Sequence, residues 1–324
     1  MSKSVNYDSF VDRVKESKSF IIGSHYNPDG DGIGSTLALG IALGRMGKSV
    51  VMYNRDGVPF NLKFLKNYEQ FVTDIDVNVS YDMMIMVDCA QKNRVSDDFA
   101  NLKNIGNTIC IDHHDLEGVE ADLLLIDKNA ASTGEVVLHL LEHAGVEICS
   151  EIAQAIYTTL VVDTGFFKYS NTSSDVLKIA GQLVEAGASP WTVARELDES
   201  KPFAAMRLLS YALESMEVSM NGQYCTMDLT LDMLKRSGAL MEHSEEFATY
   251  PRSVLGVEVA ALFREVEDGA VKISLRSKDV VDVAKIAKSF GGGGHAHAAG
   301  FRVRLSLQEA KDKVASAISD SLTV

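Results

Sequence analysis

The first half of the chain alternates short apolar runs with stretches of helical periodicity. Strands are predicted at 20–23, 49–53, 82–87 and 107–111, and helices at about 35–46, 132–144 and 150–161. Strands that alternate with helices are typical of a mostly parallel, doubly wound α/β sheet. In such sheets ligands bind beyond the carboxyl ends of the strands.

The pattern changes in the second half of the chain. Residues 174–219 have helical periodicity throughout, and Asn221-Gly222 is a good hairpin turn. The pattern after residue 222 predicts a hairpin-like segment at 225–234, strands near 257–263 and 271–276, and a helix at 282–289. A glycine-rich loop, a strand from Phe301 and a final helix capped at Ser306 are predicted to follow. We therefore expect a first domain at 1–190, a helical linker at 191–217 and a smaller α/β domain at 218–324.

Composition and charge narrow the class of protein. The 324 residues are enough for two domains, and 46% hydrophobic with 23% charged residues is typical of a soluble globular protein. The N-terminal segment lacks the apolar core of a signal peptide, no long apolar run predicts a membrane span, and the four cysteines form no CxxC pair. These features predict a cytoplasmic protein without membrane contact. The net charge of −14 argues against binding to long duplex nucleic acid, which favours a basic protein surface. A nucleic-acid substrate would therefore be short.

Four polar clusters each follow an apolar run. A carboxylate at the end of such a run is better placed to line a cleft than to be part of a core. They are His25-Tyr-Asn-Pro-Asp29-Gly-Asp31, Asp88, Asp112-His113-His114 and Asp163. Carboxylate oxygens with imidazole nitrogens suit Mn²⁺, Mg²⁺ or Co²⁺, and the absence of cysteine clusters argues against structural zinc. If the clusters converge, they would hold one or two divalent cations, which points to hydrolysis of a phosphate ester.

Simpler interpretations of single clusters stay open. Pro28-Asp29-Gly30 is also a common turn, and Asp88 and Asp163 are equally plausible as helix caps or turn residues. We expect the segment around Asp29 to be irregular rather than helical. Its glycines, which lack a side chain, would allow the backbone to lie close to the site. We also expect the adjacent His113 and His114 to face opposite sides, one toward metal and the other toward substrate.

The order of these clusters resembles the signature of the DHH phosphoesterases. The segment from Gly291 to Gly300, GGGGHAHAAG, is similar to an element of their C-terminal DHHA1 domain. Size and the pairing of the two domains are most similar to the oligoribonuclease (nanoRNase) and pAp-phosphatase branch, where pAp is adenosine 3′,5′-bisphosphate. The segments at 132–135, 163–167 and 274–277 are also similar to that branch.

The resemblance implies a role for each motif residue. One metal would be held by His25, Asp29 and Asp88, and the other by Asp31, Asp88, His113 and Asp163. His114 would face the scissile phosphate and Asp112 would orient an imidazole, so the implied catalytic residues are Asp31, Asp88, Asp112 and His114. The cofactors would be two divalent cations, foremost Mn²⁺ with Mg²⁺ or Co²⁺ as alternatives, and a metal-bridging hydroxide would attack phosphorus in a cleft between the domains.

The second domain would bind the rest of the substrate. Backbone N–H groups of Gly292, Gly293 and Gly294 could form an anion-binding nest, while Arg276 and His295 could contact phosphate. The implied reaction is hydrolysis of short single-stranded RNA to mononucleotides, removal of the 3′-phosphate of pAp, or both. Hydrolysis of linear or cyclic dinucleotides and a catalytically silent nucleotide-binding regulator remain as alternatives. A homodimer that uses the helical connector is a further expectation.

Overall fold

The computed structural model describes residues 5–116, 118–119 and 121–322. The chain forms two compact units, Met1–Ser200 and Lys201–Val324. The boundary between them falls within the stretch 191–217. Among the described residues, no helix has both the length and the apolar character that crossing a bilayer requires.

The first unit contains a six-stranded sheet in which all paired strands are parallel. The strand order is β3-β2-β1-β4-β5-β6. The strands are β1 (Ser19–Gly23), β2 (Ser49–Tyr53), β3 (Phe71–Val72), β4 (Ser80–Val87), β5 (Asn104–Asp112) and β6 (Leu123–Ile126). The parallel sheet predicted for the first half of the chain is therefore confirmed, with β3 and β6 as strands that the sequence pattern did not indicate.

Helices cover both faces of this sheet. They are α1 (Tyr7–Glu16), α2 (Gly30–Arg45), α3 (Lys92–Val95), α4 (Asp97–Ala100), α5 (Thr133–His143), α6 (Ser150–Asp163), α7 (Ser174–Glu185) and α8 (Pro190–Asp198). Alternate strand residues point to opposite faces. Ile22 and Ile85 accordingly pack in the core formed with α2, α5 and α6, whereas Ile21 and Met84 pack with Phe99 of α4. The predicted doubly wound arrangement is confirmed.

Helix α2 begins at Gly30 rather than near residue 35, so the expectation of an irregular segment around Asp29 and Asp31 is wrong. Asp29 is the N-cap residue, and its side chain accepts hydrogen bonds from the backbone N–H groups of Asp31 and Gly32. The glycines serve helix packing. A Cβ on Gly34 would lie 2.7 Å from the carbonyl oxygen of Ala155 in α6, closer than real Cβ contacts allow. Glycine therefore permits α2 and α6 to pack closely.

The second unit contains a mixed six-stranded sheet in the order β11-β12-β10-β9-β8-β7. Of the strand pairs in the described part of this unit, only β8–β9 is parallel. The strands are β7 (Glu217–Ser219), β8 (Tyr224–Leu229), β9 (Val259–Glu265), β10 (Val271–Ser277), β11 (Gly293–His295) and β12 (Ala298–Val303). The helices are α9 (Phe203–Glu214), α10 (Leu231–Ser237), α11 (Thr249–Arg252), α12 (Val283–Ser289) and α13 (Leu307–Leu322). The prediction of an α/β second domain is confirmed.

Three local predictions for this unit are wrong. The second half of the hairpin-like segment is helix α10, because Thr230 caps it by accepting a hydrogen bond from the backbone N–H of Met233. Residues 217–219 form strand β7 instead of continuing a helix. Part of the glycine-rich loop is strand β11, which pairs with β12.

Candidate metal centre

Carboxylates and imidazoles meet where β1, β4 and β5 end. His25 follows β1, Asp88 follows β4, and Asp112 closes β5. Among the described residues, three groups of potential donors have their ligand atoms within 4.8 Å of one another: His25, Asp29 and Asp88; Asp31, His113 and Asp163; and Asp88, His113 and His114. The structure thus brings together every residue that the sequence suggested as a metal ligand.

Asp31 lies in the first turn of α2, with only 1% of its surface exposed. Its carboxylate accepts hydrogen bonds from the backbone N–H groups of Thr133 (2.8 Å) and Gly134 (3.0 Å), and from the hydroxyl of Ser35 (3.1 Å). Because the positive end of the α5 dipole points at it, this carboxylate is fixed and stabilised by α5. The sequence assigned no role to Thr133, Gly134 or Ser35. The only signal was the Ser132-Thr-Gly-Glu135 segment, which has the spacing of a capping box.

Asp88 belongs to two of the donor groups and has an unusual backbone. Its φ is +54°, in the left-handed region that non-glycine residues seldom adopt. Its backbone N–H donates to the Ile111 carbonyl (3.0 Å), and its Oδ1 accepts from the Thr133 hydroxyl (3.3 Å). Such strain costs on the order of 1–3 kcal/mol and is typical of functional sites. Here it turns the chain sharply after β4 and places the carboxylate between the donor groups.

His113 and His114 do not face opposite sides, so that expectation is wrong. Both follow the end of β5, where side chains no longer alternate, and their ring centroids are 4.4 Å apart. His113 Nδ1 is 3.2 Å from the Ala130 carbonyl oxygen, and its Nε2 is 3.2 Å from Asp163 Oδ2. His114 Nδ1 is 2.6 Å from Asp112 Oδ1, which also accepts hydrogen bonds from both histidine backbone N–H groups. Asp112 therefore orients the His114 ring.

The carboxylates of the centre are electrostatically unfavourable together. Burial raises the pKa of Asp31, and the charge on Asp29 adds to this, although His113 and the backbone donors of α5 oppose the change. Burial and the charge on Asp31 raise the pKa of both Asp88 and Asp163 well above the ordinary value. Such a group of buried acids is destabilising unless positive charge compensates it.

The imidazoles respond to the same charges. Burial lowers the pKa of His25, but the hydrogen bond to Asp88 and its charge outweigh this and raise the pKa to about 9. For His114 the hydrogen bond to Asp112 outweighs burial in the same way and raises the pKa. Burial opposes the shift of Asp112, but its hydrogen bonds with His114 lower the pKa of that carboxyl.

The residues fit divalent cations. His113 Nε2 is buried and makes no hydrogen bond, yet it faces the carboxylates of Asp163 (3.2 Å) and Asp31 (3.8 Å). The backbone carbonyl beside Nδ1 fixes the ring so that Nε2 points into the centre, as in histidines that ligate metals. An oxygen-rich donor set with a few imidazoles suits Mn²⁺ or Mg²⁺.

The substrate-binding residues predicted in the second unit lie around β12. Ala298 of β12 pairs with Arg276 of β10 on one side and with His295 of β11 on the other. Arg276 and His295 therefore occupy one cross-strand row with a small residue between them, on the same face of the sheet.

The glycines of this element allow close approach of strands. A Cβ on Gly292 would lie 2.3 Å from the Gly300 carbonyl oxygen. Gly294 has a φ of +139°. Because Gly293 pairs with β12, the glycine run is not the fully open loop that an anion nest would need. The substrate role of Gly292, Gly293 and Gly294 stays a prediction.

Comparisons with known proteins agree with this architecture. The model of the DHH family, N-terminal domain, matches residues 19–160, and the model of the DHHA1 domain matches residues 221–322. The chain is 33% identical over 303 residues to the bifunctional oligoribonuclease and PAP phosphatase NrnA of Thermus thermophilus, covering 93% of this chain and 90% of that protein. It is 27% identical over 286 residues to the protein of the same name from Bacillus subtilis, covering 87% and 88%.

Solved structures share the fold. The crystal structure of an exopolyphosphatase-related protein from Bacteroides fragilis has a TM-score of 0.91 at 26% identity, covering 99% of this chain and 98% of that one. A structure of RecJ from Thermus thermophilus in complex with Mn²⁺ has a TM-score of 0.53 at 15% identity, covering 98% of this chain and 56% of that one. The motifs, both domain matches and the identity over nearly the full length of a relative show that this chain belongs to the DHH family, in the group that carries a C-terminal DHHA1 domain.

Proposed function

We propose that the protein is a metal-dependent phosphoesterase that hydrolyses short oligoribonucleotides to mononucleotides and removes the 3′-phosphate of pAp. The observation that carries this proposal is the set of overlapping donor groups, with Asp88 in two of them and the buried Nε2 of His113 facing two carboxylates. Relatives of nearly the same length are named for both activities.

We assign the donors to two cations. His25, Asp29 and Asp88, which form one donor group, would hold one. Asp31, His113 and Asp163, which form another group, would hold the other together with Asp88, which shares the third group with His113. Mn²⁺ is the proposed ion, with Mg²⁺ and Co²⁺ as alternatives. When bound, paired cations lower the pKa of a coordinated water toward neutrality and offset the charge that develops on phosphorus.

The protein's own residues position the reaction. The N-terminus of α5 holds the Asp31 carboxylate in one orientation. Asp112 fixes the ring of His114, which we assign to donate a hydrogen bond to a non-bridging phosphate oxygen. No serine or cysteine nucleophile is needed, and the raised pKa of the Cys89 thiol, to about 11 mainly through burial, would disfavour one.

We assign the second unit to the remainder of the substrate. Arg276 can bind a phosphate with two parallel N–H donors, and His295 lies in the same cross-strand row. Such binding would favour short single-stranded RNA and small nucleotides over long duplexes. The cytoplasmic location and the homodimer stay predictions.

The test is a substrate panel of di- to pentanucleotides and pAp with purified protein and Mn²⁺, with products resolved by chromatography. We expect mononucleotides from the short RNAs and AMP plus phosphate from pAp. A silent regulator would raise its melting temperature with nucleotide but release no product. An enzyme confined to dinucleotides would leave the longer RNAs and pAp intact. Either outcome would overturn the proposal in its present form.

A further inference from the structure

Tyr26 is an exposed aromatic residue on the loop that carries one residue of the metal centre. It directly follows His25, a member of the first donor group, and 43% of its surface is exposed. Its backbone N–H donates a hydrogen bond to the Arg94 carbonyl (2.8 Å), and its own carbonyl oxygen is 2.8 Å from His25 Nδ1. A large ring is thus exposed on backbone that also positions a metal donor.

The loop that carries Tyr26 is fixed by the turn that follows β2. The Asn54 side chain is fully buried, and its Nδ2 donates to the His25 carbonyl (3.0 Å). The backbone N–H of Asn27, where φ is +49°, donates to Asp56 Oδ2 (2.6 Å). Because residues on both sides of Tyr26 are tied to this turn, the ring is presented from an ordered support rather than from a free loop.

Arg55 of the same turn lies over the Tyr26 ring. Its guanidinium carbon is 5.8 Å from the ring centroid, within the range of a cation–π contact. Arg55 Nε is also 3.7 Å from Asp56 Oδ1. The cation lies over one face of the ring, and 43% of the residue's surface is exposed, so another flat group could pack against the ring.

We propose that Tyr26 stacks against the nucleobase of the nucleotide whose phosphate reaches the metal centre, with Arg55 holding the ring in place. This inference rests on the proposed function and adds a specificity element to it. Aromatic side chains stack on every base because each base has a flat π-face. Tyr26 would therefore favour substrates that carry a base over base-free phosphate esters, with little preference among the four bases.

The test compares Tyr26→Leu and Tyr26→Phe on two substrates, pAp and its abasic analogue, ribose 3,5-bisphosphate. Stacking is worth roughly 5- to 150-fold in affinity per base. We expect Tyr26→Leu to raise KM for pAp by about that factor, to leave kcat nearly unchanged, and to leave both constants for the abasic analogue unchanged. Tyr26→Phe should behave like the wild type, because the phenyl ring stacks as well.

Tyr211→Leu is a matched control. Arg236 lies over the Tyr211 ring with its guanidinium carbon 4.5 Å from the centroid, so this is a second tyrosine–arginine pair, located in the second unit. It should not change the preference for pAp over the abasic analogue. An equal loss on both substrates in Tyr26→Leu, no loss on either, or a loss in Tyr26→Phe as large as in Tyr26→Leu would overturn the proposal. The last outcome would assign the effect to the hydroxyl.

Equilibrium binding separates this inference from the proposed function. If the wild type hydrolysed neither substrate, the proposed function would fail. Calorimetric titration with AMP and with ribose 5-phosphate in Mn²⁺ would still test stacking. Weaker AMP binding in Tyr26→Leu with unchanged binding of ribose 5-phosphate would support the role of Tyr26, and unchanged AMP binding would refute it.

Discussion

Asp88→Asn should abolish most of the stabilisation that Mn²⁺ gives the protein while leaving the fold intact. Asparagine is among the residues that best tolerate the left-handed backbone found at Asp88, and its Oδ1 can still accept the hydrogen bond from Thr133. The change removes a negative charge from a residue that is only 5% exposed and whose pKa burial and Asp31 raise. Without metal, the variant should therefore be at least as stable as the wild type.

The size of the metal effect follows from binding linkage. At a concentration of one hundred times Kd, each bound ion stabilises the folded protein by about 2.7 kcal/mol. For a unit the size of the first one, about 1 kcal/mol corresponds to roughly 2–4 °C in Tm. Two ions should then raise the Tm of the wild type by about 10–20 °C. Because Asp88 belongs to two donor groups, the variant should gain only a few degrees.

Thermal unfolding in EDTA and in excess Mn²⁺, followed by circular dichroism, measures both quantities. Asp175→Asn is the control, since Asp175 is an exposed acid paired with Lys178, and it should retain the full Mn²⁺ shift. If Asp88→Asn kept the wild-type shift, or if the wild type showed none, the assignment of these donors to metal would be wrong.

Four further results are expected. Arg276→Ala should raise KM for short RNA about ten-fold or more, as loss of a charge-assisted contact implies, with little change in kcat. The control is Arg304→Ala, which changes an exposed arginine beyond β12 and should leave KM unchanged. Steady-state kinetics measure both constants for the two variants. Turnover measured across an RNA length series should fall sharply beyond a handful of nucleotides, and equal rates on long and short RNA would contradict binding by the second unit. Gly34→Ala should destabilise the first unit by about 1–3 kcal/mol, because the new Cβ would clash with α6. A Cβ at Gly44 in the same helix would meet open space, so Gly44→Ala should stabilise the unit by about 0.5–1 kcal/mol. Urea unfolding measures both changes. In the metal-free protein, the raised pKa of His25 contributes stability that is complete below about pH 6.5 and is lost as the pH rises through about 9. The free energy of unfolding, measured in the presence of chelator, should therefore fall across that pH window. The fall should be smaller in His25→Gln.

The sequence predicted the metal centre better than it predicted the helix that carries part of it. Parallel strands end at one edge of a sheet, so polar residues after β1, β4 and β5 had to meet there. Helix α2 was misjudged because Gly30, Gly32 and Gly34 disfavour helix by intrinsic propensity. The Asp29 cap and the close packing on α6 override that propensity, and the packing depends on residues more than a hundred positions away.

Residues that support the ligands were beyond sequence reasoning for a related reason. Thr133 and Gly134 bind Asp31 through backbone N–H groups, and a backbone donor leaves no trace in residue type. The convergence of His113 and His114 depended on where β5 ends, which an apolar run locates only to within a few residues. The contact between Tyr26 and Arg55 depends on the turn after β2 packing against the loop that carries His25. No local sequence pattern indicates that packing.

The most direct test of the metal centre is the anomalous scattering of manganese in crystals grown with Mn²⁺. Two peaks are expected in the first unit, one bounded by His25, Asp29 and Asp88 and the other by Asp31, Asp88, His113 and Asp163, with Asp88 between them. Ordered protein with no anomalous peak among these side chains, or with manganese bound only elsewhere, would contradict the assignment.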